Sequence, residues 1–161
     1  LGEVSVTGEA FEAELKGPTA ALERPVVEQT SPECRASLGD KRCRVDKAGR
    51  VQVAWVVSVE DERVVIVDAL EPTANAYGYG WLRWIGGRNS GLESQVRASS
   101  GDRVTLREAP AFAPAAGDLL ELRQGCDRRF ATCVGRFGNA VNFRGEPHLP
   151  GTDLLTRYPG A

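Results

Sequence analysis

Residues 50–69 read RVQVAWVVSVEDERVVIVDA, two runs rich in β-branched residues that are separated by a short acidic stretch. Every second position of the first run is apolar: Val51, Val53, Trp55, Val57 and Val59. This period of two is typical of a β-strand, and the acids at 60–62 predict a polar turn. Val64 to Ala69 would then return as the second strand of a hairpin.

Four further strand-like segments follow the hairpin, at 79–85, 92–99, 103–108 and 119–123, with turn residues between them. Short strands at this spacing favour a small antiparallel barrel or sandwich over alternating strands and helices. We therefore expect a mainly β fold of about six strands, with residues 50–125 forming an antiparallel β-barrel domain.

The segments before the barrel are less regular. Residues 3–16 alternate as two short strands would, and a helical turn is expected over 19–24. We interpret residues 1–25 as the strand and helix remnant of a preceding domain. Residues 26–49 contain two cysteines and little periodicity, so they are expected to be irregular.

The segment after the barrel, residues 126–161, begins with a predicted short helix over 128–137, for which Asp127 is a suitable N-cap. The apolar face of this helix includes Cys133. Beyond it, Gly and Pro residues predict an extended strap from 139 to 152. Such a strap is expected to lie at or near a subunit interface, because its backbone groups need partners.

Composition restricts the functional class. The chain has 161 residues, of which 42% are hydrophobic and 26% charged, as in soluble globular proteins. A net charge of −2 argues against wholesale binding to nucleic acid or to an anionic membrane. No apolar run approaches the roughly 20 residues of a membrane span, and no basic leader predicts a signal peptide. The absence of Met leads us to expect a piece of a longer product.

Four cysteines lie outside the predicted barrel: Cys34 and Cys43 precede it as C-x8-C, and Cys126 and Cys133 follow it as C-x6-C. Because the first and last strands of a closed barrel are neighbours, the fold itself would bring the two pairs together. We expect the four sulfurs to converge on one site.

Four interpretations of these cysteines remain open: two disulfides, a structural zinc ion, four unrelated buried thiols, or an iron–sulfur cluster. Disulfides suit secreted proteins, and zinc sites usually use C-x2-4-C spacings, which are tighter than those here. A [4Fe–4S] cube is larger than one ion and tolerates longer intervals. Basic residues beside the cysteines would offset the negative charge of such a cluster: Arg35, Lys41, Arg42, Arg44, Arg128 and Arg129.

Two stretches resemble a known signature. Residues 125–133, GCDRRFATC, and 136–151, RFGNAVNFRGEPHLPG, resemble the C-terminal signature of the tail-tip hub proteins of gene transfer agents and related siphophages. Residues 11–22 and 34–43 match that family too. The spacing of the two cysteine pairs is also similar to that in tail tip protein L of phage lambda, whose C-terminal domain binds an iron–sulfur cluster.

This resemblance implies a structural protein of the virion tail tip, or baseplate, and not an enzyme. By this resemblance, a cluster expected to be [4Fe–4S] would be bound within flanks 26–49 and 126–161 by Cys34, Cys43, Cys126 and Cys133. Several hub copies, expected to form a trimer, would join the distal tail protein to a central fibre or host-contact protein. Assembly in the reducing bacterial cytoplasm would favour iron ligation over disulfides.

Two other functions were considered from the residues. Trp55, Trp81 and Trp84 could form a glycan-binding surface, although Trp81 and Trp84 point to opposite faces of one strand. A Cys133–His148 pair would suggest a cysteine peptidase, but His148 lies between two prolines and no Asn or Asp is obviously placed to orient it. The glycine-rich loop 86–91 lacks the Lys-Ser/Thr of a phosphate loop and predicts a β-turn. No catalytic residue is therefore expected.

Overall fold

The structure, a computed structural model, describes residues 4–7, 10–15, 17–22 and 27–149. It begins with two short strands. Strand β1 (Val4–Thr7) pairs antiparallel with β2 (Ala10–Ala13), which confirms the two predicted strands. The expected helical turn is a 3-10 turn over Pro18–Ala21, because Pro18 can occupy the first position of such a turn. By its contacts the chain divides into two units, residues 1–30 and residues 31–161.

The second unit contains six strands that close into an antiparallel barrel in the order β3-β4-β7-β6-β5-β8. Their bounds are β3 Val51–Asp61, β4 Val64–Val67, β5 Trp81–Trp84, β6 Glu93–Ser100, β7 Arg103–Leu106 and β8 Leu119–Arg123. Closure occurs where β8 pairs with β3, with Val51 opposite Arg123 and Trp55 opposite Leu119. The predicted mainly β, six-stranded barrel is confirmed.

The barrel interior is filled by apolar side chains at alternate strand positions. Trp84 is the largest fully buried residue, and its indole N–H donates to Ser94 Oγ at 3.0 Å. Smaller residues around it complete the core: Ala54, Val56, Val65, Val67, Leu82, Val96, Val104, Leu106, Leu120 and Leu122. Tyr77 adds a second large ring, and most of the other core side chains are small, because a six-stranded barrel is narrow.

The apolar stripe that identified β3 faces outward. Val51, Val53, Trp55 and Val57 are all exposed, while Ala54 and Val56 between them point into the core. Both faces of β3 are apolar, so the alternation predicted a strand but not which side is buried. The strand also continues to Asp61, and the turn lies at Glu62-Arg63 rather than at 60–62.

The helix after the barrel is shorter than predicted. Helix α1 covers Phe130–Gly135, and Arg129, not Asp127, is its N-cap. The Asp127 carboxylate accepts hydrogen bonds from the Arg129 N–H at 3.0 Å and from the Thr132 hydroxyl at 2.9 Å. It therefore holds the turn that leads into the helix. A 3-10 turn follows at Ala140–Asn142, and none of the helices described is long and apolar enough to cross a membrane.

Candidate cysteine centre

All four cysteines are described, and all four carry free thiols, so no disulfide joins them. Cys43 and Cys133 are buried, whereas Cys34 and Cys126 are partly exposed. The structure therefore does not support the interpretation of the cysteines as two disulfides.

Asp40 shapes the loop between Cys34 and Cys43. Its two carboxylate oxygens accept the backbone N–H groups of Cys43 at 2.7 Å, Arg42 at 2.8 Å and Ser37 at 2.8 Å. These hydrogen bonds, that of Cys43 foremost, lower the pKa of Asp40 below its usual value of 3.8. A carboxylate at this position holds the irregular loop in one conformation without any helix or strand.

Asn139 connects the first cysteine pair to the second. Its side-chain amide donates to the Cys43 carbonyl oxygen at 2.6 Å and lies 3.8 Å from Cys43 Sγ. Its backbone carbonyl accepts the Cys133 thiol at 3.4 Å. Asn139 is buried, so all of these polar contacts form away from bulk water. Cysteine spacing in the sequence did not indicate a role for this residue.

N–H groups also point at the two partly exposed sulfurs. The Arg128 N–H donates to Cys126 Sγ at 3.4 Å, and the Arg144 N–H donates to Cys34 Sγ at 3.4 Å. Arg128 has φ 63°, in the left-handed region that L-residues rarely adopt, and so has Arg44, next to Cys43, with φ 61°. Backbone strain of this kind concentrates at functional sites.

Several contacts bind the two cysteine-bearing flanks to each other. The Cys34 N–H donates to the Arg128 carbonyl at 2.9 Å, and the Arg35 N–H donates to the Arg144 carbonyl at 3.0 Å. The Arg35 guanidinium forms a two-pronged ion pair with Glu146, at 2.6 and 2.7 Å. The described part of the strap therefore lies against the first flank of its own chain.

A second, smaller apolar cluster underlies the cysteines. Ala36, Cys43 and Val45 form its buried centre, with Cys34, Leu38 and Phe137 packed against it. The Arg50 guanidinium lies over the Phe137 ring, 4.9 Å from its centroid, just before β3 begins. This cation–π contact links the cluster to the first strand of the barrel.

The thiols influence one another electrostatically. Burial raises the pKa of Cys133 first of all, and the charges of Cys126, Cys34 and Cys43 raise it further. Burial also raises the pKa of Cys126, with smaller contributions from Asp127, Cys43 and Cys34. Because like charges disfavour ionisation, all four thiols would ionise together only with a positive partner.

Positive charge is concentrated around this centre. Residues 26–49 and 126–161 together hold ten Lys and Arg against seven Asp and Glu, a net of +3 in a chain of net −2. The rest of the chain holds ten basic and fifteen acidic side chains, a net of −5. The basic surplus thus belongs to the cysteine-bearing flanks, as the sequence suggested.

The four thiols can be compared with what an iron–sulfur cluster requires of its ligands. Among residues 27–149 and the other described segments, no three His, Cys, Asp or Glu side chains are arranged to hold a single ion. A cluster of four irons is larger and uses thiolates that stand farther apart. Sulfurs that accept N–H hydrogen bonds are typical of such clusters. The residues present therefore fit a cluster.

A cysteine peptidase finds no support in the geometry. Cys133 is buried, its thiol donates to the Asn139 carbonyl, and its pKa is raised rather than lowered. An activated nucleophile needs a lowered pKa. His148 instead packs edge-on against Phe130, with ring centroids 6.1 Å apart. In the described part of the chain no hydrogen bond joins Cys133 to His148.

Comparison with known proteins identifies related phage proteins. Residues 1–46 match the family described as the N-terminal attachment domain of baseplate hub protein, and residues 75–153 match the family of phage conserved hypothetical protein BR0599. One solved chain, from the virion of a native gene transfer agent particle, is 36% identical with a TM-score of 0.75. The chain is related to phage-type virion proteins.

The match to the virion chain covers 99% of this chain and 57% of that chain, so this chain spans little more than half of its relative. A comparison with curated protein sequences found no match. The expected resemblance to gene transfer agent and phage proteins is thereby confirmed at the level of phage-associated structural proteins. The similarity to the phage lambda protein stays a prediction.

Proposed function

We propose that this chain is a structural hub protein of the tail tip, or baseplate, of a phage-like particle. The observation that carries the proposal is its similarity, over 99% of its length, to a chain of a gene transfer agent virion. The match of residues 1–46 to a baseplate hub attachment domain supports the same role. The partners would be further hub copies in a ring, expected to be a trimer, a distal tail protein and a central fibre or host-contact protein.

We further propose that Cys34, Cys43, Cys126 and Cys133 hold an iron–sulfur cluster, expected to be [4Fe–4S]. When bound, the cluster supplies four iron–thiolate bonds that cross-link the two flanks, as disulfides do in oxidising compartments. The Arg128 and Arg144 N–H groups stabilise two of the thiolates. The basic surplus of the flanks offsets the remaining negative charge.

This arrangement gives the cysteines a mechanical role. The first flank enters the barrel at β3 and the second leaves it at β8, and these two strands are paired. A cluster that cross-links the flanks next to the β3–β8 pairing would hold the two ends of the barrel and the strap together. In the bacterial cytoplasm, where such particles would assemble, thiolate–iron bonds persist and disulfides do not.

The cluster is tested on protein purified without oxygen. We expect a broad visible absorption near the blue end of the spectrum, and iron and sulfide in equal amounts. Cys126→Ser should lower both, while Ser90→Ala in the barrel loop 86–91 leaves them unchanged. Protein without iron or sulfide, or an unchanged content in Cys126→Ser, contradicts the cluster.

The hub role is tested in cells that make the particle. Peptides of this chain should be found in purified particles, and gold-labelled antibody should mark one end of the tail by electron microscopy. Val141 in the strap is 86% exposed, so Val141→Asp should leave the protein folded but impair its joining to tails. Particles that lack the chain, or label found only outside particles, contradict the hub proposal.

A further inference from the structure

The outer surface of the barrel carries a groove that the proposed hub role does not use. Its volume is about 320 Å³, near the lower limit for small-molecule sites in proteins. It lies over β5, β6 and the segment that follows β7. The lining residues that matter here are Trp81, Glu93, Gln95, Arg107, Glu108 and Pro110.

Trp81 is 45% exposed, although it alternates on β5 with Trp84, which is fully buried. The core already contains two large rings, Trp84 and Tyr77, and the packing of the barrel does not need the indole of Trp81. A tryptophan left half in water offers an apolar face and an N–H donor to a ligand. The ring of Trp81 lines the concave surface of the groove.

Polar side chains flank the indole on both neighbouring strands. In the sheet register, Trp81 lies opposite Gln95 on β6 and opposite Arg123 on β8. Arg107 adjoins Gln95 on the far side, because its backbone N–H donates to the Gln95 carbonyl at 2.8 Å. The indole of Trp81 thus lies between the amide of Gln95 and the guanidinium of Arg123.

These polar groups are held in place by each other. The Arg107 guanidinium donates to Gln95 Oε1 at 3.1 Å. Arg123 donates to Glu121 at 2.7 Å and to Glu93 at 3.2 Å. Side chains already fixed lose less entropy when a ligand binds, so the groove is partly preorganised.

We propose that this groove binds a neutral saccharide, with the indole of Trp81 against the C–H face of one pyranose ring. Gln95, Arg107 and Glu93 would supply donors and acceptors for the ring's hydroxyl groups. A sugar presents one apolar face and a rim of hydroxyls, which matches a ring bordered by amide, guanidinium and carboxylate groups. The two carboxylates in the lining, Glu93 and Glu108, disfavour an acidic sugar.

A protein partner fits the exposed stripe on β3, which begins in the same cross-strand row as Trp81, better than it fits this groove. The contiguous exposed stripe Val51, Val53, Trp55 and Val57 on β3 is the more apolar surface, as the centres of protein interfaces are. The groove has one aromatic ring among polar side chains. It also lies outside the cysteine-bearing flanks, so the inference depends on neither the cluster nor assembly.

The test is a titration of the ¹⁵N-labelled full chain with maltotriose, cellotriose, chitotriose and trigalacturonate, followed by NMR. We expect at least one neutral trisaccharide to shift the Trp81 indole and the Gln95 and Arg107 amides, with a dissociation constant on the order of 1 mM. Trp81→Ala should weaken binding at least tenfold. Trp81→Phe should retain most of it, because the aromatic face remains.

Trp55→Ala is the matched control, since Trp55 is 51% exposed on the same barrel but outside the groove. It should bind like the unaltered chain. The proposal is overturned if no neutral trisaccharide shifts the groove, if Trp81→Ala and Trp55→Ala weaken binding equally, or if only trigalacturonate binds and salt abolishes it.

Discussion

The side-chain amide of Asn139 donates a 2.6 Å hydrogen bond to the carbonyl oxygen of Cys43, joining residues 96 positions apart in sequence. The same residue accepts the Cys133 thiol through its backbone carbonyl. One buried asparagine therefore contacts a cysteine of each pair directly. Hydrogen bonds within the protein thus join the two flanks in addition to the proposed cluster.

Replacing Asn139 with Ala should destabilise the chain by about 1–3 kcal/mol, because the buried Cys43 carbonyl loses its partner. Urea unfolding followed by circular dichroism measures this. The matched control is Asn142→Ala, at a half-buried position whose side-chain amide donates to Asn139 Oδ1. Asn142→Ala should lower the free energy of unfolding by less than Asn139→Ala does. Equal losses would show that the hydrogen bond to the Cys43 carbonyl does not contribute more than the one from Asn142.

The ion pair between Arg35 and Glu146 makes a pH-dependent contribution to stability. The Arg35 guanidinium, with help from the Ser31 N–H, lowers the pKa of Glu146 from 4.5 to about 2. The folded carboxylate thus binds a proton less readily than the unfolded one. Its contribution should be complete above about pH 4.5 and lost as the pH falls through about 2.

Glu146→Gln tests this by removing the titrating group. Thermal unfolding at a series of pH values should show a smaller loss of stability below pH 4.5 in this variant than in the unaltered chain. Glu33→Gln, an exposed carboxyl in the first flank, serves as the control and should keep the original pH dependence. Parallel profiles for all three proteins would show that the pair does not contribute.

The barrel was predictable because its signals are local. Period-two alternation and turn residues mark each strand, and the structure has all six. The buried face of β3 was not predictable, since Ala54 and Val56 inside are no more apolar than Val53 and Trp55 outside. The helix boundary also differed, because the Asp127 carboxylate binds both a backbone N–H and the Thr132 hydroxyl ahead of α1.

The contact between the two flanks was predictable in part, whereas the cysteine site itself stays a prediction. Cysteine spacing and strand closure together pointed to these four residues, and the β3–β8 pairing explains why the flanks meet. Asn139, Arg35 and Glu146 could not be assigned from spacing, because their contacts span about a hundred residues. Asn139 and Glu146 do lie within the signature at 136–151, which was the only sequence signal available for them.

Gly125 is predicted to be essential for the path from β8 to Cys126. A Cβ at this position would lie 2.1 Å from the Gly78 carbonyl oxygen and 2.2 Å from the Gly80 nitrogen, both backbone atoms. Gly125→Ala should therefore cost about 2–3 kcal/mol, since the backbone must shift. Gly135→Ala, where a Cβ meets nothing within 4 Å, is the control and should be neutral or slightly stabilising. Chemical denaturation compares the two.

The last prediction concerns where the cysteines exert their effect. Replacing any one of Cys34, Cys43, Cys126 or Cys133 with Ser should release the proposed cross-link but leave the barrel intact, because the barrel core contains none of them. Hydrogen exchange of protein purified without oxygen should then show lost protection in flanks 26–49 and 126–151, while 51–69 stays protected. Chelator-treated unaltered chain is the control and should show the same pattern, since it lacks the cluster but keeps every cysteine. Uniform loss across the chain would mean that the cysteines support the whole fold, and no loss would mean that Asn139 and the Arg35–Glu146 pair hold the flanks without them.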